Sequence, residues 1–412
     1  MSDHSRAFVP IEAWCYSSPS LKYSGKSIDI GLMAESLIYY DNIYLNINTQ
    51  QDFAEILKWF INQGKFEFFL SLLRDGIIII YHYAFATAPI NKDDKYIIMN
   101  IQDEEQKKKN TFIERFVFHH LLNDIVNNKQ RKLMAEAIEG NVIEVKADDF
   151  GKPIKNARDD FQNPTKCSLL LQSLLDEVYP LIGWGKDVKV KVTIDKFRDQ
   201  HRINWNMNLD KLIEGLGKKI NFSNATPLAA AAVCNRTLQT TCQLKCDAFI
   251  SNPMGTLLGD KLYETAHRFK NTKSIIDNLK LEVEFPDIRF LVNGGSLDLD
   301  NIIKIRKQAV KFRKWLQSEN DRDRNAIIAY HNEVAKESGI TKLGRTTIKL
   351  FGILGPPVVG TVIGDIKGGI LGAIAGASFK FMAELGSGFG SNWKPVIFGN
   401  WLDSYIKNTS GK

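Results

Sequence analysis

The stretch Ile77-Ile78-Ile79-Ile80-Tyr81-His82-Tyr83, which directly follows Gly76, decides how the first third of the chain is interpreted. Its β-branched residues follow one another without polar alternation, and this pattern is typical of a buried strand. Residues 43–47 predict an earlier strand, and residues 96–101 predict a later one. We therefore expect at least three strands among the first hundred residues.

Two helices are predicted between the first two of these strands. The first opens at Asp52 and ends at Gly64, and its apolar residues share one face because they recur at intervals of three and four: Phe53, Ile56, Leu57, Phe60 and Ile61. A second, shorter helix is predicted for residues 66–74. This alternation of strands and helices indicates an α/β fold for the N-terminal region.

The next hundred residues predict further helices and a loop. Residues 112–127 predict a helix in which His120 shares the apolar face, so a core histidine is expected there. Residues 147–165 mix Asp, Gly, Pro and Asn and predict a loop. Asn163, followed by Pro164, predicts the capped start of a helix that runs to residue 179.

The region after residue 187 predicts a hairpin and then a helical block. Valines and isoleucine alternate with polar residues over residues 188–194, which indicates a half-exposed strand, and residues 202–207 are its predicted partner. The helical block includes a helix over residues 242–250. The chain is thus predicted to be mixed α/β or α+β in its N-terminal region and helical in its C-terminal part. The predicted divisions are residues 1–147, 148–295, 296–350, 351–385 and 386–412.

The net charge of the 412-residue chain is +7, from 54 Lys and Arg against 47 Asp and Glu, and it is concentrated in one place. Residues 301–350 hold twelve Lys and Arg against five Asp and Glu, so this stretch alone accounts for the whole excess. With 44% apolar residues and a mean hydropathy of −0.20, the composition excludes a disordered chain and a polytopic membrane protein.

The basic stretch begins with a predicted amphipathic helix from Leu297 to about Ser318, with Ser296 as its expected cap. Its apolar residues step by three and four: Ile302, Ile305, Ala309, Phe312 and Leu316. Six basic residues lie between them and predict a cationic outer face: Lys304, Arg306, Lys307, Lys311, Arg313 and Lys314.

Four interpretations of this cationic face remain open. It could bind the phosphates of a nucleic acid. It could bind an anionic membrane surface, at about 1 kcal/mol per basic residue near the bilayer. It could bind an acidic patch of a partner chain, or it could be an ordinary solvated surface paired with nearby acids.

A glycine-rich segment follows over residues 352–390. Five of its glycines recur every fourth residue: Gly360, Gly364, Gly368, Gly372 and Gly376. Each costs a helix nearly 1 kcal/mol relative to alanine in water, but glycines at this spacing let a second helix approach backbone-close. The register therefore predicts a glycine zipper, an element of helix packing and oligomerisation.

Two charged residues complicate the zipper. Asp365 and Lys367 interrupt the apolar run and would point about 160° apart on a helix. A single span would leave one charge in lipid, at about 2.5–3.5 kcal/mol. Three interpretations follow: a membrane element buried in the resting protein, a constitutive span whose charges an assembly shields, or a helical hairpin in a soluble core.

Catalytic signatures are absent from the sequence: it contains no P-loop, no dinucleotide-binding Gly-x-Gly-x-x-Gly and no nucleophile elbow. Asp195, Asp199 and His201 could supply a metal-dependent nuclease site, although three polar residues in a loop are commonplace. Cys242 and Cys246 would be structural thiols rather than zinc ligands. We therefore predict no catalytic residue, no metal and no cofactor.

Three stretches resemble bacterial proteins of unassigned function, some of which are found near phage-defence genes. They are Leu37-Ile-Tyr-Tyr-Asp-Asn-Ile-Tyr-Leu, Phe285-Pro-Asp-Ile-Arg-Phe-Leu and Ile305-Arg-Lys-Gln-Ala-Val-Lys-Phe-Arg. The layout of the whole chain also resembles the channel effectors of Hailong-type defence systems, in which a soluble region gates a C-terminal membrane element. The resemblance carries over no site residue.

This layout predicts a cytoplasmic protein, associated with the inner membrane through its C-terminal part, because residues 1–8 have no apolar signal core. The expected function is that of a defence effector that oligomerises and perturbs the membrane under the control of an anionic ligand. The alternative is a soluble regulator that binds nucleic acid or a nucleotide, with the glycine segment as a core hairpin.

Overall fold

The computed structural model describes fourteen parts of the chain: residues 6–12, 28–83, 85–92, 97–103, 111–144, 151–182, 189–197, 200–206, 226–244, 246–250, 257, 288–310, 313 and 350–351. The predicted glycine zipper, its five glycines and most of the basic connector lie outside these residues. Within them the chain has a mixed α/β architecture with a parallel sheet, so this part of the predicted fold class is confirmed.

The main sheet has six strands in the order β10-β9-β1-β2-β3-β6. Its strands are β1 (Arg6–Pro10), β2 (Asn42–Asn46), β3 (Ile78–His82), β6 (Val142–Glu144), β9 (Asp247–Phe249) and β10 (Leu350–Phe351). All neighbours pair in parallel except β10, which runs antiparallel to β9. The isoleucine run that predicted a buried strand forms β3, which pairs with β2 on one side and with β6 on the other.

The first face of the main sheet is covered by helices that come mostly from the N-terminal half. They are α1 (Ile30–Tyr39), α2 (Gln50–Ile61), α3 (Phe66–Arg74) and α4 (Asn128–Glu139), joined by α8 (Ile288–Asn293) and α9 (Leu299–Gln308). Ala7 and Val9 of β1 belong to this large apolar core, as do Ile78 and Ile80 of β3. The two helices predicted between the first strands are confirmed as α2 and α3.

The second face carries larger side chains and is covered by α7 (Thr226–Leu244). Phe8, Tyr44 and Tyr81 alternate with the residues of the first face and form a separate apolar cluster with Tyr83 and Cys246. Leu244 of α7 packs against this cluster. Strands β1, β2 and β3 therefore have buried residues on both faces, as the apolar run of β3 predicts.

A second, antiparallel sheet has the order β4-β5-β8-β7, formed by β4 (Phe85–Lys92), β5 (Ile97–Asp103), β7 (Val192–Phe197) and β8 (Gln200–Trp205). Helices α5 (Gly151–Phe161) and α6 (Pro164–Ile182) lie against α7, and α6 contacts β7. The predicted hairpin is confirmed as β7 and β8. Pairing of β5 with β8, and of β1 with β9, crosses the division predicted at residue 147.

Three local predictions were wrong. The predicted loop contains α5, whose Gly151 and Pro153 fall in the first turn, where a helix tolerates them, and whose Ala157 and Phe161 are buried. The predicted helix over 242–250 ends at Leu244, because residues 247–249 gain strand partners on both sides. The cap of α9 is Asp298, not Ser296, and its carboxylate accepts a hydrogen bond from the Asn301 amide.

A fourth local prediction, the core histidine at His120, was also wrong. Residues 112–127 form a π-helical turn (Ile113–Val117) and a short 3-10 turn (His120–Leu122) instead of one regular helix. The change in residues per turn moves His120 off the apolar face, and it is exposed. The buried histidine of this region is His82 at the end of β3.

Candidate functional site

A group of buried polar side chains lies at the edge of the main sheet where the parallel strands end. Because β1, β2 and β3 are parallel, their C-terminal ends meet at the same edge, which we call the carboxyl edge. The connection from β1 leads to β2 on one side, whereas β9 lies on the other side of β1. The order of strands thus reverses between β1 and β9, and ligands of open α/β sheets bind outside the carboxyl ends at such a point.

Four side chains from two strand ends and one helix meet there, and we call them the Arg236 cluster: Glu12, Asn46, Asn48 and Arg236. Glu12 follows β1, Asn46 ends β2, and Arg236 lies on α7. Arg236 donates through Nη2 to Glu12 Oε1 and through Nη1 to Asn48 Oδ1 at 3.1 Å. The amide groups of Asn46 and Asn48 donate to the same Glu12 oxygen, at 3.2 and 2.7 Å.

The guanidinium of Arg236 is the most deeply buried charge of the cluster, since the residue is 1% exposed. Besides the two side chains, it donates to the carbonyl oxygen of Tyr83 at 3.2 Å, and its Cζ lies 6.0 Å from the ring centre of Phe8 and 5.6 Å from that of Tyr83. A charge at this depth is tolerated only when it is paired and hydrogen-bonded. Glu12 supplies that pairing and thereby ties α7 to the ends of β1 and β2.

Two acceptor atoms of the cluster have no hydrogen-bond partner among the described residues: Oε2 of Glu12 and Oδ1 of Asn46. Asn46 is only 1% exposed, whereas the side chain of Glu12 is 14% exposed. A buried acceptor without a partner costs about 1–3 kcal/mol, so such atoms are uncommon in structural clusters and call for an explanation. Their position at the switch point of the sheet makes the cluster the best candidate for a binding site.

His82 lies next along the carboxyl edge, at the end of β3. Its Nδ1 is 2.7 Å from the carbonyl oxygen of Ile47, which assigns the hydrogen of the neutral ring to Nδ1. The ring packs edge-on against Phe112 and Phe116, which stack on one another with centroids 4.2 Å apart. These contacts fix the orientation of the imidazole behind the Arg236 cluster.

Two helices that follow strands at this edge, α1 and α2, have N-termini that carboxylates of the chain itself cap. Asp29 caps α1 by accepting from the Leu32 amide at 2.9 Å, and its other oxygen is paired with Arg289 at 2.5 Å. At α2, Thr49 and Asp52 form a reciprocal capping box. The positive ends of these two helix dipoles are therefore already compensated.

The opposite edge, which we call the amino edge, holds two of the arginines of the predicted cationic face. Arg306 of α9 donates to three carbonyl oxygens at the end of α1, those of Leu37, Tyr40 and Asp41. Burial, and then the charge of Arg313, lower the pKa of Arg306 to about 10, while Asp41 opposes that shift. Arg306 therefore keeps its charge at neutral pH and compensates the negative end of α1.

Arg313 completes this arrangement, which we call the α1 latch. It donates to the carboxylate of Asp41 at 2.9 Å and to the carbonyl oxygen of Ile38 at 2.9 Å. Burial is the first cause of the lowered pKa of Arg313, and Asp41 acts in the opposite direction. The start of the basic connector is thus fastened to the C-terminus of α1.

The structure separates the residues predicted to bind an anion. Arg306 and Arg313 point inward to α1, whereas Lys304 and Lys307 are exposed. Lys311 and Lys314 lie outside the described residues, and so do all five zipper glycines. An anion-binding role for this face stays a prediction.

Of the three residues predicted for a nuclease site, Asp199 and the side chain of His201 lie outside the described part of the chain. Asp195 is exposed in the β7–β8 hairpin, where it accepts a hydrogen bond from Asn204 at 2.9 Å. Within the described ranges, no three His, Cys, Asp or Glu side chains are placed so as to hold a metal ion. None of the helices that the structure describes has the length and apolar composition needed to cross a membrane.

The sequence prediction missed every residue of the Arg236 cluster. A usable signal existed, because Asn46 and His82 each end an apolar strand and polar residues in that position line the carboxyl edge of a parallel sheet. Arg236 gave a second signal, since it closely follows the apolar run Leu228–Cys234 on a helix that is predicted to be buried. Comparison with protein-family models, curated proteins and solved structures found no match to this chain.

Proposed function

We propose that the protein is an effector in which the α/β region senses a ligand at the carboxyl edge and controls the glycine segment of residues 351–385. In this proposal the released segment oligomerises through its zipper glycines and perturbs the inner membrane. The Arg236 cluster supports the sensing part, because it combines a switch-point position with buried acceptors that the described residues leave unpaired.

The observation that carries the control part is the position of β10. This strand ends at Phe351, directly before the glycine-rich segment, and it pairs with β9, the neighbour of β1. Because β10 is antiparallel to β9, Phe351 lies at the amino edge. A conformational change at the carboxyl end of β1 or β9 can therefore reach the start of the glycine segment through the paired strands β9 and β10.

The α1 latch supports the same proposal from a second element. Arg306 and Arg313 fasten the start of the basic connector to α1, whose opposite end is capped by Asp29 at the carboxyl edge. The basic connector begins at α9, which is fastened to α1, and the glycine segment follows β10 in the chain. Two attachments of this kind suit an element that is held at rest and released on signal.

Dye release from liposomes of anionic bacterial lipids tests this function. The full-length protein with its α1 latch opened by Arg313→Ala is expected to release dye, and adding Gly368→Leu or Gly372→Leu is expected to abolish release because the larger side chains block backbone-close packing. Gly369→Leu in the same background is the matched control, since it adds the same bulk beside the four-residue register. Equal leakage from all three glycine variants, or none from the protein with the open latch, would contradict the proposal.

The alternative is a regulator that binds nucleic acid or a nucleotide through its basic helix. Exposed Lys304 and Lys307 favour it, but the two arginines best suited to phosphate are engaged by α1. Cell fractionation distinguishes the two functions. Recovery in the soluble lysate, with nucleic-acid binding that weakens steeply with salt and falls in Lys304→Ala with Lys307→Ala, would favour the regulator.

A further inference from the structure

We propose that the outward face of α9 docks the resting protein on an anionic lipid bilayer through Lys304, Lys307 and Val310, which we call the α9 row. The inference rests on the proposed function, because that function is what brings the protein to a membrane. It adds the surface that meets the lipid while the α1 latch is still closed.

Helix α9 runs across the amino edge, from the turn after α2 to the end of α1. At its start, the amide of Leu299 donates to Oε1 of Gln63, just after α2, at 2.7 Å. At its last turn, Arg306 donates to carbonyl oxygens at the end of α1. The inner face of α9 is buried through Ile302, Ile305 and Ala309. The opposite face therefore points away from the core.

The α9 row lies on this outward face. Its three residues recur at intervals of three, which places them in one slanted row on a helix. Val310 continues the helical turn, because the next amide pair, Arg313 to the carbonyl oxygen of Ala309, has helical spacing at 2.8 Å. All three side chains are exposed, Val310 by 40%. Cations beside an aliphatic side chain are typical of helices that lie in a bilayer interface.

The acidic residues at the start of α9 do not cancel the charge of this row. Asp298 caps the helix, and Asp300 is paired with Lys65 at 2.7 Å. Among the described residues, no acid engages Lys304 or Lys307. The face thus carries a positive charge that an anionic surface complements, and each lysine beside such a bilayer is expected to strengthen binding about fivefold.

The neighbours of the two lysines favour lipid over nucleic acid. Nucleic acids are bound through cationic donors to phosphate and through aromatic rings that stack on bases. In α9 the arginines Arg306 and Arg313 are turned inward to α1, and the residue that completes the row is an aliphatic one. Val310 would gain burial at the boundary between headgroups and acyl chains, whereas a phosphate backbone offers it no partner.

The amino edge also holds the start of the glycine segment. Phe351, the last residue of β10, lies at this edge. A protein docked through the α9 row would therefore hold the beginning of the segment on the side that carries the lipid-binding face. Release of the segment would then take place beside the bilayer.

Vesicle flotation with the full-length protein, its latch intact, tests the docking. The protein is expected to float with vesicles of phosphatidylglycerol and phosphatidylcholine, less so at high salt, and not with phosphatidylcholine alone. Lys304→Ala with Lys307→Ala should weaken binding roughly 25-fold, and Val310→Ser about threefold or more. Equal flotation with both kinds of vesicle would overturn the inference.

The matched control is Lys129→Ala with Lys132→Ala, which removes the same charge from exposed residues of α4. It should change the affinity by no more than about twofold. Equal losses in the two double variants, or a loss of oligonucleotide binding in place of vesicle binding, would overturn the docking. Flotation without dye release after the latch is opened would refute membrane perturbation alone, whereas dye release with flotation unchanged by the α9 substitutions would refute the docking alone.

Discussion

Arginine side chains are held at both edges of the main sheet, but the groups that accept their hydrogen bonds differ between the two edges. At the amino edge, Arg306 is held by three main-chain carbonyls at the end of α1. At the carboxyl edge, Arg236 is held by a carboxylate, an amide and one carbonyl, and two acceptors of the same cluster stay unpaired among the described residues. The contacts of Arg306 satisfy the last carbonyl groups of α1. The contacts of Arg236, in contrast, leave two acceptor oxygens of the cluster without a partner among the described residues.

This difference separates an arginine that serves the fold from one that also forms a site. Main-chain carbonyls at a helix C-terminus need donors in any protein, so the contacts of Arg306 are explained without a ligand. The unpaired oxygens of Glu12 and Asn46 are not needed to hold Arg236, because Oε1 of Glu12 and Oδ1 of Asn48 already do so. Substitutions at the two edges test this difference.

The largest effect is expected at the carboxyl edge. Arg236→Met should lower the free energy of unfolding by about 3–5 kcal/mol, because it leaves a buried carboxylate without its partner. The double variant Glu12→Gln with Arg236→Met should recover part of the loss, since no charge then stays buried. Urea titration of the single and double variants measures both values. Additive losses would show that the pair is not coupled.

Arg306→Met is the corresponding test at the amino edge, with a smaller loss of about 2–3 kcal/mol from its charge-assisted hydrogen bonds. No second substitution should recover it, because its acceptors are main-chain oxygens that a mutation cannot remove. Lys307→Met is the matched control on the next, exposed residue and should change stability by no more than about 0.5 kcal/mol. Equal losses in the two variants would show that the contacts of Arg306 with α1 do not stabilise the fold.

The sequence predicts the local elements of the fold but not the long-range contacts at either edge. Strands β2 and β3 and helices α2 and α3 were predictable because local periodicity alone specifies them. The Arg236 cluster as a whole was not, because Glu12 and Arg236 are 224 residues apart and meet through the tertiary packing of α7 against β1. The inward direction of Arg306 was missed for a related reason: a helical pattern shows which residues share a face but not that the end of α1 lies opposite.

Helix packing beside the carboxyl edge is tested by Gly31→Ala. A Cβ at Gly31 would lie 2.1 Å from the carbonyl oxygen of Arg289, so α8 would have to move away from α1. We expect a loss of about 1–3 kcal/mol, as for other overpacked sites. Gly140→Ala is the matched control, because its Cβ would meet nothing within 4 Å, and it should stay within about 0.5 kcal/mol. A tolerated Gly31→Ala would show that α8 is not held close to α1.

The smallest effect is expected at the rim of the Arg236 cluster. Asn48→Ala removes one acceptor of Arg236 and one donor to Glu12, but the side chain is partly exposed, so water can replace both bonds. The expected loss of stability in urea is about 1 kcal/mol or less. A loss well above 1 kcal/mol would show that water does not replace these two bonds and that Asn48 is a structural part of the cluster.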